Sequence, residues 1–249
     1  MSEPAPRRRR LLGALTAAAV LPRPVRAQLA DTPPCDAATP LPPRFRLDYL
    51  AQASRGPLSL DGENDLVFDS AQGQYTLRSA TRSVLFTGEQ TSRGALKADG
   101  QALLLVPARF EERRGRREPR NVEIDWAGKV VRFSANPDGS AVPVPRLQDR
   151  LSVLVQAGQQ LRAQAQPAAV ALPVAGARQV STYRLELRGN ESLDLPIGRI
   201  DAVKLERPLD AEHDGLELWL APSLCWLPVR MRFTDDRGQV VQNQLRAAR

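Results

Sequence analysis

The chain has a single histidine, two cysteines and few aromatic residues. One histidine excludes catalytic triads that use a histidine base, and it excludes metal sites built from several histidines. The sequence also lacks a G-x-S-x-G nucleophile elbow, a P-loop and a dinucleotide-binding G-x-G-x-x-G. We therefore predict no catalytic residue, no metal ligand and no cofactor, and we keep an uncharacterised hydrolase only as a lesser alternative.

The apolar stretch near the N-terminus is too short to cross a membrane. Four arginines at residues 7–10 precede eleven mostly apolar residues, 11–21, and Val25, Arg26 and Ala27 form a small-residue cleavage site. A transmembrane helix needs about 20 apolar residues. We therefore expect residues 1–27 to be a signal peptide, the protein to be periplasmic, and the mature chain to have no membrane span.

The formal charge of +7 lies mostly in this leader. Residues 1–27 contain six arginines and one glutamate, which leaves 29 basic and 27 acidic residues for the rest of the chain. The mature protein is nearly neutral, so its net charge does not indicate a nucleic-acid partner.

Two cysteines can pair in an oxidising compartment. Cys35 lies in residues 28–43, where several prolines indicate an extended linker. Cys225 lies in a corner between two predicted strands. Two interpretations stay open, namely a Cys35–Cys225 disulfide, or free thiols with Cys225 packed as a small apolar residue.

From Arg44 onward, short runs of alternating apolar and polar residues are separated by turn residues. The clearest alternation is in residues 214–233, and one segment from Asp149 to Leu161 has helical spacing instead. The pattern predicts a single β-rich domain over residues 44–249. We expect a large curled antiparallel meander of about a dozen strands, half-barrel or barrel-like, with one amphipathic helix packed on it.

A tryptophan interrupts the apolar alternation of residues 214–233. Trp219 lies opposite Leu218 and Leu220, so it faces the other surface of the sheet, where it packs into a core or forms the wall of an apolar ligand site. The candidate ligand-facing residues are Trp219, Leu218, Leu220 and Met231.

Five arginines occur within residues 113–120, around one glycine and one proline. This composition is typical of an exposed hairpin loop, and arginine forks bind phosphate and carboxylate groups. The loop is either solvated and partly neutralised by nearby glutamates, or it contacts lipid head groups or anionic envelope polymers. The candidates for an anionic contact are Arg113, Arg114, Arg116, Arg117 and Arg120.

Four segments in this order resemble landmarks of the exported bacterial family called domain of unknown function 3108. They are residues 149–154 (DRLSVL), 198–205 (GRIDAVKL), 218–222 (LWLAP) and 227–230 (LPVR). The resemblance covers about residues 45–245 and implies a periplasmic β-rich protein with no assigned reaction. At the level of fold alone, a curved antiparallel sheet crossed by a helix resembles LolA/LolB-type lipoprotein carriers.

These observations favour a non-enzymatic periplasmic protein that binds an apolar or amphipathic envelope ligand, such as a lipid or a lipoprotein. The alternative is an assembly factor that contacts another envelope protein through an edge strand and the arginine-rich loop.

Overall fold

A computed structural model of the chain describes residues 41–164, 167–210 and 214–249. In the first strand Phe45, Leu47 and Tyr49 are buried at every second position, as the sequence predicts. The strands before the helix are β1 (Arg44–Arg55), β2 (Leu58–Ala71), β3 (Gln74–Ser83), β4 (Thr87–Asp99), β5 (Ala102–Arg114), β6 (Arg120–Asp125), β7 (Val130–Phe133), β8 (Asn136–Ala141) and β9 (Gln148–Asp149).

One α-helix of the described ranges separates these strands from the second group. Helix α1 is Ser152–Ala163, and a short 3-10 helix, Pro222–Leu224, occurs later in the chain. The strands after the helix are β10 (Ala169–Ala175), β11 (Val180–Leu195), β12 (Gly198–Arg207), β13 (Gly215–Ala221), β14 (Leu227–Thr234) and β15 (Val240–Ala248).

The fifteen strands of the described residues form one sheet, in which β1 and β15 are neighbours. From β1 the order runs through β2 to β8 on one side, and from β15 it runs back through β14 to β9 on the other. Every pair is antiparallel except β9 with β10, which is parallel. Because β8 and β9 remain as edges, the sheet is open rather than a closed barrel. The predicted mostly-β fold with a curled antiparallel sheet and one helix is confirmed.

Helix α1 lies inside the curl of the sheet, since it contacts β5, β9, β10 and β14. It begins three residues later than predicted, and the Asp149 carboxylate accepts hydrogen bonds from the N–H groups of Leu151 and Ser152 at 2.9 and 2.8 Å. All eight residues from Ser152 to Gln159 are buried. The helix is therefore more enclosed than its amphipathic pattern indicates.

Buried glutamines connect the helix and β9 to one strand of the sheet. Strand β6 pairs with β5 only from Arg109 onward, so the preceding part of β5 lacks a strand on that side. There Gln156 accepts a hydrogen bond from the N–H of Leu105 at 2.8 Å, and Gln148 donates one to the Leu105 carbonyl at 2.9 Å. Side-chain amides thus satisfy backbone groups that another strand would otherwise pair.

Three predictions concern residues outside the described ranges. The signal peptide (residues 1–27), most of the linker (residues 28–43) and Cys35 all lie there. Strand β1 begins at Arg44, where the folded domain was predicted to start, and the domain boundaries themselves stay a prediction. Within the described residues no helix is both long and apolar enough to cross a bilayer.

Candidate functional site

The inward face of the sheet is filled with large side chains at one end and hollow at the other. In the filled part the rings of Phe45 and Phe68 stack with their centroids 5.0 Å apart, and the ring of Tyr75 stacks on Phe68 at 6.1 Å. In the hollow part the same strands carry small residues, including Ala51, Ala53, Gly62, Ser79, Thr81 and Gly88. Because these side chains are too short to meet across the curl, a cavity of about 870 Å³ remains.

One row of directly paired residues crosses the cavity wall from β12 to β2. It contains Arg207, Leu216, Phe233, Val241, Ala53 and Leu60. We call the five members from Leu216 to Leu60 the apolar row. The wall therefore offers an apolar band that ends at a single guanidinium group.

The predicted arginine-rich loop lies at the rim of this cavity. Four of its five arginines, namely Arg113, Arg114, Arg116 and Arg117, line the cavity, whereas Arg120 does not. The loop is attached to the neighbouring hairpin, because the N–H of Gly115 donates to the Thr87 carbonyl at 2.8 Å. In that hairpin the side chains of Val84 and Leu85 are 91% and 82% exposed.

The buried acid in the cavity wall is Glu112. Its carboxylate accepts hydrogen bonds from Arg114 at 2.7 Å and from Gln90 at 2.9 Å. Burial raises the pKa of Glu112, but the charge of Arg114 and these hydrogen bonds outweigh burial, so the net pKa is lowered. Glu112 is therefore ionised at neutral pH, and its charge is compensated.

The other three acids of the wall also have partners. A hydrogen bond from Arg78 lowers the pKa of Glu89. Asp214 lies 3.9 Å from Arg150, and Asp235 accepts backbone N–H groups within its own turn. Each acid of the cavity wall thus has a partner within the protein.

Arg207 of β12 and Tyr183 of β11 lie on the inward face of the sheet. Neither was selected as a candidate from the sequence. The Cζ atom of Arg207 lies 3.9 Å from the centroid of the Tyr183 ring, and the residue is 8% exposed. The sequence does contain a signal for the inward position of Arg207. Side chains two residues apart on a strand face the same side, and Arg207 follows the buried Leu205 by two residues.

The four predicted ligand-facing residues do not line the cavity. Leu218, Leu220 and Met231 face inward, but they are buried in the filled half of the interior. Trp219 faces outward, as the alternation predicted. Its ring there packs between Lys204 and Arg230, and its Nε1 donates to Glu191 at 2.8 Å. Leu216 and Phe233, two residues away from Leu218 and Met231 along the same strands, line the cavity instead.

A separate polar cluster is buried away from the cavity lining. The Tyr75 hydroxyl and the Ser92 hydroxyl are 2.8 Å apart, and Ser92 donates to the Asp149 carboxylate at 2.5 Å. Burial raises the pKa of Asp149, although its hydrogen bonds oppose the shift. Because this carboxylate also anchors the start of α1, its role is structural.

Cys225 is buried and is not a free thiol. Its predicted partner Cys35 lies outside the described ranges, so the pairing stays a prediction. No group of three or more histidine, cysteine, aspartate or glutamate residues could hold a metal ion in the part of the chain that the structure describes.

The model of a family described as a protein of unknown function, DUF3108, matches residues 58–244. No curated protein matches the chain. Among solved structures, a crystal structure of a DUF1329 family protein from Desulfovibrio piger is similar over 83% of this chain and 85% of that chain, with 10% sequence identity and a TM-score of 0.30. A TM-score this low does not identify a shared fold.

Proposed function

We propose that this chain, which belongs to the DUF3108 family of proteins of unknown function, is a periplasmic binding protein that holds the apolar part of an amphipathic envelope molecule in its cavity. The ligand would be a lipid or the acylated part of a lipoprotein. The observation that carries the proposal is the hollow half of the sheet, where small inward residues leave about 870 Å³ beside the apolar row. Pockets of this volume are typical of small-molecule sites.

The acids of the cavity support a binding role over a catalytic one. A general acid at neutral pH needs a raised pKa, whereas the pKa values of Glu89 and Glu112 are lowered. The carboxylate with a raised pKa, Asp149, lies outside the cavity lining and is bonded to the start of the helix. We therefore propose that the protein binds its ligand without reacting with it.

The test fills the cavity and measures binding of two probes, hexadecanoate and hexadecanol, by calorimetry. Ala53 lies on the cavity wall within the apolar row, so Ala53→Leu reduces the space available to an acyl chain. The matched control is Ala171→Leu, because Ala171 is exposed on β10. We expect both probes to bind the unmodified chain and the control, and binding to Ala53→Leu to weaken about 10-fold or more. If neither probe binds the unmodified chain, the proposal is wrong.

A second candidate function is an assembly factor that contacts another envelope protein through the rim. It is favoured by the exposure of Val84 and Leu85 in the hairpin that is bonded to the arginine-rich loop, since exposed apolar groups near arginines are typical of interaction surfaces. Crosslinking in cells would recover one dominant protein, and Leu85→Ser together with Arg116→Ala would reduce its yield. Recovery that is unchanged by these substitutions would contradict this alternative.

A further inference from the structure

Arg207 stands at the end of an otherwise apolar row. It is the last residue of β12, and it pairs in register with Leu216, the first member of the apolar row. Both residues line the cavity. A molecule that lies along the apolar row therefore has one end next to the guanidinium group.

The charge of Arg207 is buried without a compensating acid among the described residues. The residue is 8% exposed, its guanidinium stacks on the ring of Tyr183, and no carboxylate of the described residues lies within 4 Å of it. Burying a charge without a counter-ion is costly. Stacking covers the face of the guanidinium plane and leaves the N–H groups in that plane able to donate hydrogen bonds. The site therefore favours a bound anion.

The charged residues that line the cavity also favour a bound anion. The lining contains six arginines, at positions 113, 114, 116, 117, 150 and 207, and four acids, at positions 89, 112, 214 and 235. All four acids already have partners. The lining thus carries a net positive charge of two, and its acids are engaged by other groups.

We infer that Arg207 binds the anionic group of the ligand, and that the ligand is an amphiphile with a single oxyanion end and an apolar body along the apolar row. The oxyanion is a carboxylate, as in a fatty acid, or a phosphate, as in a phospholipid head group, because arginine forks bind both groups bidentately. The inference rests on the proposed function and names the chemical class of its ligand.

The experiment compares three probes with the same sixteen-carbon chain, namely hexadecanoate, hexadecyl phosphate and the neutral hexadecanol. Calorimetric titrations use the mature chain, the variant Arg207→Gln and a matched control, Arg199→Gln. Arg199 lies on the same strand but is exposed and does not line the cavity. For the unmodified chain and the control, we expect the anionic probes to bind about 10-fold or more tightly than the alcohol.

In Arg207→Gln this preference disappears, while the affinity for hexadecanol stays within about twofold of the unmodified value. The anion that loses more affinity on substitution identifies the head group, and either result supports the inference. Equal binding of the three probes to the unmodified chain overturns it, as does an anion preference that survives in Arg207→Gln. In both cases the proposed function still stands, because the probes bind.

A second variant is used if Arg207→Gln does not fold. Arg207→Lys keeps the charge but removes the bidentate fork, so the anion preference should fall to an intermediate value while circular dichroism stays unchanged. Two results together would contradict an arginine site. The folded Arg207→Lys protein would keep the full preference for the anionic probes, and the unmodified chain would bind these probes equally well at low and high salt. Failure of all three probes to bind the unmodified chain overturns the proposed function itself.

Discussion

The side chain of Gln156 accepts a hydrogen bond from the backbone N–H of Leu105 at 2.8 Å, so a helix residue occupies the place of a strand neighbour. Its Nε2 also donates to the carbonyl of Leu103 at 3.3 Å. Through these bonds the helix stabilises the part of β5 that does not pair with β6. The stability of the curl therefore depends in part on buried polar side chains, of which Gln156 makes two bonds to β5.

Replacing Gln156 with leucine tests this dependence. The variant leaves the buried N–H of Leu105 without a partner and removes the weaker hydrogen bond to the Leu103 carbonyl. We therefore expect the free energy of unfolding to fall by about 2 kcal/mol. Urea unfolding followed by circular dichroism measures the change. Gln164→Leu is the control, because Gln164 is exposed at the C-cap of the helix. Equal stability of the two variants would show that the glutamine bonds do not stabilise the fold.

A second prediction concerns Gly158, the glycine inside α1. A Cβ atom at this position would lie 2.0 Å from the backbone carbonyl oxygen of Trp226. Alanine normally stabilises a helix interior relative to glycine by about 1 kcal/mol. Here we expect the opposite effect, because the added Cβ forces the helix away from the backbone of Trp226. Gly158→Ala should lower the free energy of unfolding by about 1 to 3 kcal/mol. A thermal melt that shows stabilisation would refute this close approach.

A third prediction follows from the buried carboxyl group of Asp149, whose pKa is raised by burial. Between its unfolded and folded pKa values, the folded state keeps a proton that the unfolded state has released. The free energy of unfolding contributed by this group therefore falls as the pH rises through that interval. Asp149→Asn removes the titration and keeps an oxygen for the N–H groups of Leu151 and Ser152.

The measurement is urea unfolding of the unmodified protein and Asp149→Asn at a series of pH values from about 4 upward. We expect the stability of the unmodified protein, relative to the variant, to decrease with rising pH and then to level off. A relative stability that increases with pH would mean that the pKa of Asp149 is lowered, contrary to the buried site.

A fourth prediction separates Trp219 from ligand binding. Trp219→Phe removes the Nε1 hydrogen bond to Glu191, so we expect a loss of about 1 kcal/mol of unfolding free energy. Affinity for hexadecanoate should not change, because the ring packs on the outer face between Lys204 and Arg230. Weakened binding in this variant, with stability preserved, would move the ligand site to the outer face.

The alternation of side chains was sufficient to predict the strands and the curled sheet. Phe45, Leu47 and Tyr49 in β1, and Leu216, Leu218 and Leu220 in β13, point inward as their spacing of two requires. Which inward residues meet a partner and which border empty space depends on side chains from distant strands. The sequence therefore does not predict which residues line the cavity, although Ala51, Ala53 and Gly62 are among its small residues.

The side of the sheet that Trp219 faces was predicted, but its surroundings were not. The cation contacts with Lys204 and Arg230 depend on the registers of β12 and β14 against β13, which a single sequence does not determine. The burial of the helix depends in the same way on how far the sheet curls. Its glutamines look solvent-facing in a helical pattern, yet they bond to the backbone of β5.

The pairing of the first strand with the last has a consequence for how the protein forms. Strands β1 to β8 and β9 to β15 are two successive blocks of the chain, joined within the sheet only where β1 meets β15. The two blocks are therefore joined only when β1 (Arg44–Arg55) and β15 (Val240–Ala248), which are far apart in the sequence, come together. A closure over such a long sequence separation predicts slow, high-contact-order folding.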